Sequence, residues 1–226
     1  MKTLILSGHP DLSTSVANKV ILDELEKALP DAEIRKLDQL YPTANIDVEA
    51  EQKALLAADL IVWQFPFWWY SLPWLMKKWL DEVFLHGFSH GSKAKLGGKK
   101  LLVSFTTGAP AEAYTGGEGA IGDIQKMLEM FPATANLCGL DYQGALYVHG
   151  VGYTTRDDEK AIEAQKQAAR EYAENLSPVF KKLQRNFCRQ PSMLLCFSKK
   201  MKRSVAHRGA ALLFLRKYTL VLLFTP

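Results

Sequence analysis

Cysteine is scarce in this chain of 226 residues, with Cys138, Cys188 and Cys196 falling at no CxxC or metal-type spacing. An odd, scattered set excludes a disulfide framework, and a reducing cytoplasm is the compartment it fits. A long apolar run is missing from the N-terminus. Met1-Lys-Thr-Leu-Ile-Leu-Ser-Gly-His-Pro10 carries one positive charge and only three consecutive apolar residues, too few for a signal-peptide core. Gly-Lys-Ser/Thr is absent after the first strand, which disfavours a nucleoside triphosphate. Positive charge is also thin where it would matter. Residues 185–226 hold nine Lys and Arg and no Asp or Glu, so residues 1–184 set 19 basic residues against 24 acidic ones. An acidic body without a cation track has nothing to follow a phosphate backbone, so nucleic acid is excluded as a partner.

What is present is an alternation of β-rich apolar runs with segments of helical period, the signature of βαβ units and an α/β fold. Strands are expected at Thr3–Ser7, Glu33–Lys36, Leu60–Gln64, Leu101–Thr106 and Ala145–Val148. Val16, Val20, Ile21, Leu25 and Ala28 make the apolar stripe of one crossover helix, and Leu72, Leu75, Met76, Trp79 and Val83 that of another. A further helix, from Asp157 to about Leu183, opens on acids and ends on Lys181 and Lys182, the polarity its dipole favours. With right-handed crossovers, the expectation is a five-stranded parallel sheet in the order 2-1-3-4-5 with helices on both faces. Ligands of such sheets sit beyond the carboxyl ends of the strands.

Three loops emerge there. Gly8-His9-Pro10-Asp11-Leu12-Ser13-Thr14-Ser15 leads into a helix and offers hydroxyls, Asn18 and backbone N–H groups, enough for a monophosphate. Plain capping by Ser13 or Thr14 explains the same residues. Phe67-Trp68-Trp69-Tyr70 crowd bulky aromatics where polar turn residues normally stand. Either a flat ring or a core or dimer patch accounts for them. Trp74 and Trp79 read as structural residues of the helix that follows. In Thr106-Thr107-Gly108-Ala109 small residues let a ring approach the backbone, with Tyr114 within reach of the same crevice.

Other patterns are rejected. Gly117-Glu-Gly119-Ala-Ile-Gly122 matches the dinucleotide fingerprint, with Asp141 as its acid, but lies about ten residues beyond Thr106 and reads as a lid-like loop. His86 and His90 lack a third metal ligand. Ser104 and Cys138 lack a His partner for nucleophilic catalysis.

His9 to Asn18, Val62-Trp-Gln-Phe-Pro-Phe-Trp-Trp-Tyr-Ser-Leu-Pro-Trp-Leu-Met-Lys-Lys-Trp-Leu-Asp-Glu-Val-Phe84 and Thr106-Thr-Gly108 together resemble the flavodoxin-like NAD(P)H:quinone oxidoreductase family. Asn45-Ile-Asp-Val-Glu-Ala-Glu-Gln52 is similar to its bacterial branch, which includes ancillary subunits of glutathione-regulated potassium-efflux systems. The resemblance covers residues 1–184. It implies FMN, with FAD the minority alternative, held by His9 and by Ser15, Val16, Ala17 and Asn18 around the phosphate. Phe67, Trp68, Trp69 and Tyr70 would lie along the ring, and Thr106, Thr107, Gly108 and Ala109 at its other edge. It further implies a homodimer with sites at the subunit interface, NAD(P)H and a quinone as substrates in a ping-pong hydride transfer, and Tyr114 at the substrate. The histidine that accompanies this tyrosine in the animal enzymes is replaced by Ala120-Ile121-Gly122, leaving Tyr114 or water to handle the proton. Two other roles stay open, a regulatory subunit of a potassium-efflux antiporter and a one-electron carrier.

Residues 185–226 have no counterpart in that family. Their apolar end, Ala210 to Pro226, is too short for a membrane span and is interrupted by Arg216 and Lys217. It reads either as a disordered or out-of-frame extension or as a basic segment peripheral to the inner face of the cell membrane.

Overall fold

In the computed structural model, which describes residues 1–152 and 157–189, the five apolar runs pair as one parallel sheet. They are β1 (Thr3–Ser7), β2 (Glu33–Lys36), β3 (Leu60–Pro66), β4 (Lys100–Thr106) and β5 (Asp141–Val148). Their order is β2-β1-β3-β4-β5, the expected doubly wound arrangement. Register is in phase across the centre, with Ile5 beside both Ile34 and Val62, and Phe65 beside Phe105. β3 runs two residues past the expected end. β5 begins four residues early, because backbone pairing of Lys100 with Asp141 recruits the polar Asp141–Gly144 stretch into the sheet.

The helices are α1 (Ala17–Ala28), α2 (Leu37–Leu40), α3 (Val48–Ala57), α4 (Trp74–Val83), α5 (Ile124–Met127), α6 (Met130–Cys138) and α7 (Glu159–Arg189). Strand alternation divides the core between two faces. Leu4, Leu6, Trp63, Phe65, Val103 and Phe105 pack in one cluster with Leu55 of α3, Met76 and Trp79 of α4 and Phe131 of α6. Ile5, Val62 and Leu102 point the other way, and the fully buried Ile21, Leu22 and Leu25 of α1 and Ala169, Ala173, Leu176 and Phe180 of α7 form their cover. The stripe of α1 is shifted slightly from expectation: Leu22 is buried and Ala28 is exposed.

Trp74 corrects the sequence reading. It is 59% exposed, whereas Trp79 is fully buried. Five residues on a helix of 3.6 per turn separate side chains by about 140°, so the two tryptophans cannot share a face. Asp158 caps α7 by accepting from the N–H of Lys160 at 2.9 Å. The compact body comprises Met1–Phe180. α7 continues to Arg189, past the end expected at Leu183, and the basic extension from position 190 onward lies outside the described residues.

Candidate functional site

A cleft of about 480 Å³ opens at the carboxyl ends of β1, β3 and β4, where the topology predicts a ligand. Each of the three loops contributes to it. From the first come His9, Thr14, Ser15, Val16, Ala17 and Asn18. His9 is nearly buried, and its Nδ1 accepts the Asp11 N–H at 3.1 Å, so the neutral ring carries its proton on Nε2. Trp68 stands edge-on to it at 5.4 Å. Capping differs from the sequence expectation. Asp11 caps the short 3-10 turn Leu12–Thr14 and takes the Ser13 hydroxyl at 2.6 Å, while Ser15 Oγ accepts the Asn18 N–H at 3.1 Å. Ser13 is thereby turned away from the cleft, and neither it nor Thr14 caps α1. The first-turn N–H groups of α1, which have no partner within the helix, face anions favourably.

The second loop supplies Phe67, Trp68, Trp69 and Tyr70. Phe67 is buried against Phe105 at 4.8 Å, and its N–H is tied to Thr106 O at 2.8 Å. Trp69 is 89% exposed, and Trp68 and Tyr70 are about half exposed. Trp69 and Tyr70 both adopt left-handed backbone, with φ of 48° and 62°. Such conformations cost bulky residues about 1–2 kcal/mol each and concentrate at functional sites. Gly8 lets this turn's neighbour α4 close in. A Cβ there would lie 2.9 Å from Met76 Cβ, so only glycine fits where β1 ends.

Thr106, Gly108, Ala109 and the buried Tyr114 line the opposite wall. Thr107 does not. Its hydroxyl points away from the cleft, donating to Ala109 O at 3.0 Å and meeting His149 Nδ1 at 2.8 Å. The Gly117–Gly122 segment follows a 3-10 turn at Ala111–Tyr114 rather than a strand, and is closed by a Thr115–Asp123 bridge that brings Ile121 to the cleft. Asp141, the acid weighed for a dinucleotide, pairs instead with Lys100.

Beneath the cleft runs a chain of buried polar side chains. Asn18 Nδ2 donates to Thr106 Oγ1 and Gln64 Nε2 to Asn18 Oδ1, both at 3.0 Å. Ser104 Oγ donates to Gln64 Oε1 and lies 2.8 Å from the Tyr172 hydroxyl, whose pKa burial pushes up. Sequence reasoning missed Gln64, Ser104 and Tyr172 here, and also the lining residues Val151, Gly152 and Gln165. These come from beyond β5, whose end, like that of β2, was not among the three loops singled out from the sequence, although the topology rule applies to it equally. Among the described residues no group of His, Cys, Asp and Glu could hold a metal ion, and no helix is long and apolar enough to cross a membrane.

A model of families with the flavodoxin-like fold matches residues 1–173, the body that builds this cleft. The chain belongs to the flavodoxin-like fold family. This flavodoxin-like protein is 41% identical over 179 residues to the glutathione-regulated potassium-efflux system ancillary protein KefF of Enterobacter sp. (strain 638), covering 76% of this chain and 94% of that one. Among solved structures it resembles general stress protein 14 of Treponema denticola in complex with FMN, at 34% identity and a TM-score of 0.68 over 79% of this chain and 99% of that one. It also resembles an NADPH-quinone reductase from P. pentosaceus, at 29% identity and a TM-score of 0.56 over 76% and 98% of the two chains.

Proposed function

We propose that this flavodoxin-like protein is an FMN-dependent NAD(P)H oxidoreductase that reduces quinones by two-electron hydride transfer in a ping-pong cycle. The observation that carries the reading is the make-up of the cleft. A helix N-terminus with neutral donors, a strained aromatic turn and a small-residue strand end face one another around a space suited to a phosphate-bearing flat ring. The FMN held by the Treponema denticola relative and the quinone reductase among similar structures support it.

On this reading Ser15, Val16, Ala17 and Asn18 hold the phosphate through α1, and His9 adds a donor beside it. Phe67, Trp68, Trp69 and Tyr70 flank one edge of the ring, and Thr106, Gly108 and Ala109 the other, with Thr107 bracing that wall from behind. Bound flavin supplies the ability to take a hydride from a nicotinamide and give it to an acceptor. The protein supplies orientation, a wall that excludes water, and a phenol at Tyr114 that hydrogen-bonds the substrate oxygen. Nicotinamide and quinone take turns in the same open half of the cleft. The exposed Trp68, Trp69 and Tyr70 become covered in a homodimer.

The test is to purify the protein, record its visible spectrum, identify any released flavin as FMN or FAD, and add NADH or NADPH with and without menadione. Bleaching followed by quinone-dependent return of the yellow colour is expected; a protein that takes up no flavin and oxidises no NAD(P)H overturns the reading. Tyr114→Phe should lower turnover about tenfold or more with flavin content intact. Similarity to KefF favours a second reading, a regulatory subunit of a potassium-efflux antiporter. Stable co-purification with such a transporter, at a level independent of added NAD(P)H and quinone, would favour regulation over catalysis.

A further inference from the structure

Ile121 lines the cleft in the Ala120-Ile121-Gly122 stretch that stands where the animal enzymes of the resemblance carry a histidine beside the tyrosine. A histidine reaches Tyr114 nonetheless, from a different part of the chain. His149, the first residue after β5, lies parallel to the Tyr114 ring, with centroids 5.3 Å apart and planes 21° from one another. It does not line the cleft; Tyr114 does. We propose that His149 is a positioning residue for Tyr114: anchored by Thr107, its ring backs the tyrosine face to face and sets the angle at which the phenol meets a bound substrate. This rests on the reading of Tyr114 as the substrate-facing residue.

Three observations support it independently. The first is the anchor. Thr107 Oγ1 donates its single proton to Ala109 O at 3.0 Å, so its 2.8 Å contact with His149 Nδ1 is a hydrogen bond only if Nδ1 carries the proton. One tautomer and one ring plane are selected together. The second is confinement on the far side. The Tyr147 ring meets His149 nearly edge-on at 5.1 Å, and is itself stacked on Phe105 at 4.8 Å, while Phe105 packs on Phe67. The imidazole is thus the last link between an aromatic row anchored in the core and the wall of the cleft. The third is a stitched backbone. Thr107 N–H donates to Val148 O, Val151 N–H to Thr107 O and Gly150 N–H to Ala109 O, at 2.9, 2.9 and 3.0 Å, fixing the ends of β4 and β5 against each other. Burial holds the His149 pKa below its usual value, with Glu112 opposing, so the ring stacks in its neutral form.

The first experiment needs no cofactor. Long-range ¹H–¹⁵N correlation on the apo protein at pH 7.5 should find His149 protonated at Nδ1, and Thr107→Val should move it toward the Nε2-protonated form. An Nε2-protonated ring in the wild type overturns the proposal. Ring-current shifts of the Tyr114 protons should collapse in His149→Ala and persist in His149→Phe, which keeps a flat ring. In the FMN-loaded enzyme, His149→Ala should lower turnover with menadione about fivefold, a smaller loss in the same direction as that of Tyr114→Phe, with the FMN dissociation constant within about twofold, and His149→Phe should recover most of it. Unchanged turnover in His149→Ala overturns it, as does a parallel loss of Tm, FMN affinity and turnover that His149→Phe fails to relieve. If the wild type binds no flavin, the functional reading fails, while the NMR result still decides the tautomer and the stacking.

Discussion

Two buried polar clusters flank the sheet of this protein, and they are built on opposite plans. On the α3–α4 side Glu51 is fully buried and charged, and every donor around it converges on its carboxylate: Arg35 Nε and Trp79 Nε1 at 2.9 Å, Arg35 Nη2 and the Tyr41 hydroxyl at 2.5 Å. Burial and the adjacent carboxylate push the Tyr41 pKa up to about 12. On the α1–α7 side the chain Tyr172–Ser104–Gln64–Asn18–Thr106 is neutral, spread over four elements, and ends at the cleft. The first cluster is closed on itself and serves packing. The second is open at one end, so a change anywhere along it is felt where a ligand would bind. Charge is tolerable in the closed cluster because its demands are met locally, whereas neutral amides and hydroxyls suit a relay of orientation, since each both donates and accepts.

The comparison breaks most sharply at Glu51. Glu51→Ala strands the Arg35 guanidinium and should destabilise the fold by about 3–5 kcal/mol in chemical denaturation, with flavin affinity of the remaining folded protein unchanged. A loss of affinity in the folded fraction would show that the closed cluster is not closed. Gln64→Leu should cost less stability, about 1–3 kcal/mol, yet weaken flavin binding severalfold, because Asn18 loses the partner that orients it. Tyr172→Phe should sharpen the contrast with the smallest effect, about 1 kcal/mol, since Ser104 keeps its bond to Gln64. Flavin titration by fluorescence quenching is the second measurement in both cases. The order expected for flavin binding is Gln64, then Tyr172, with Glu51 last, although Glu51 comes first for stability.

The same two clusters separate what a sequence reveals from what only the folded chain does. The strands of the core were legible because β1, β3 and β4 are apolar on both faces, which only a covered parallel sheet explains. The cleft was legible where a loop breaks a local rule: aromatics in place of turn residues at Trp68–Tyr70, or small residues at Thr106–Ala109. What stayed hidden has no local signature. Arg35, Tyr41, Glu51 and Trp79 share no periodicity, and their convergence is decided by how α3 meets α4. β5 was half missed because Asp141–Gly144 is polar and held by pairing rather than by composition. His149 was missed with it, although its position, one residue past a strand end, was available from topology alone.

Among the described residues β2 and β5 are the edge strands of the sheet, and the chain treats them differently. β2 is four residues long and carries Glu33, Arg35 and Lys36, so a foreign strand laid against it would find little length and charged side chains to desolvate. β5 is long enough to template another strand, but its pairing with β4 slips between Leu101 and Val103, and Gly144 turns there with φ of 95°. A ribbon interrupted in this way cannot present an unbroken row of amides to a neighbour. The irregularity that made β5 hard to read is therefore also a guard against lateral growth into fibres, placed on the strand that leads into His149.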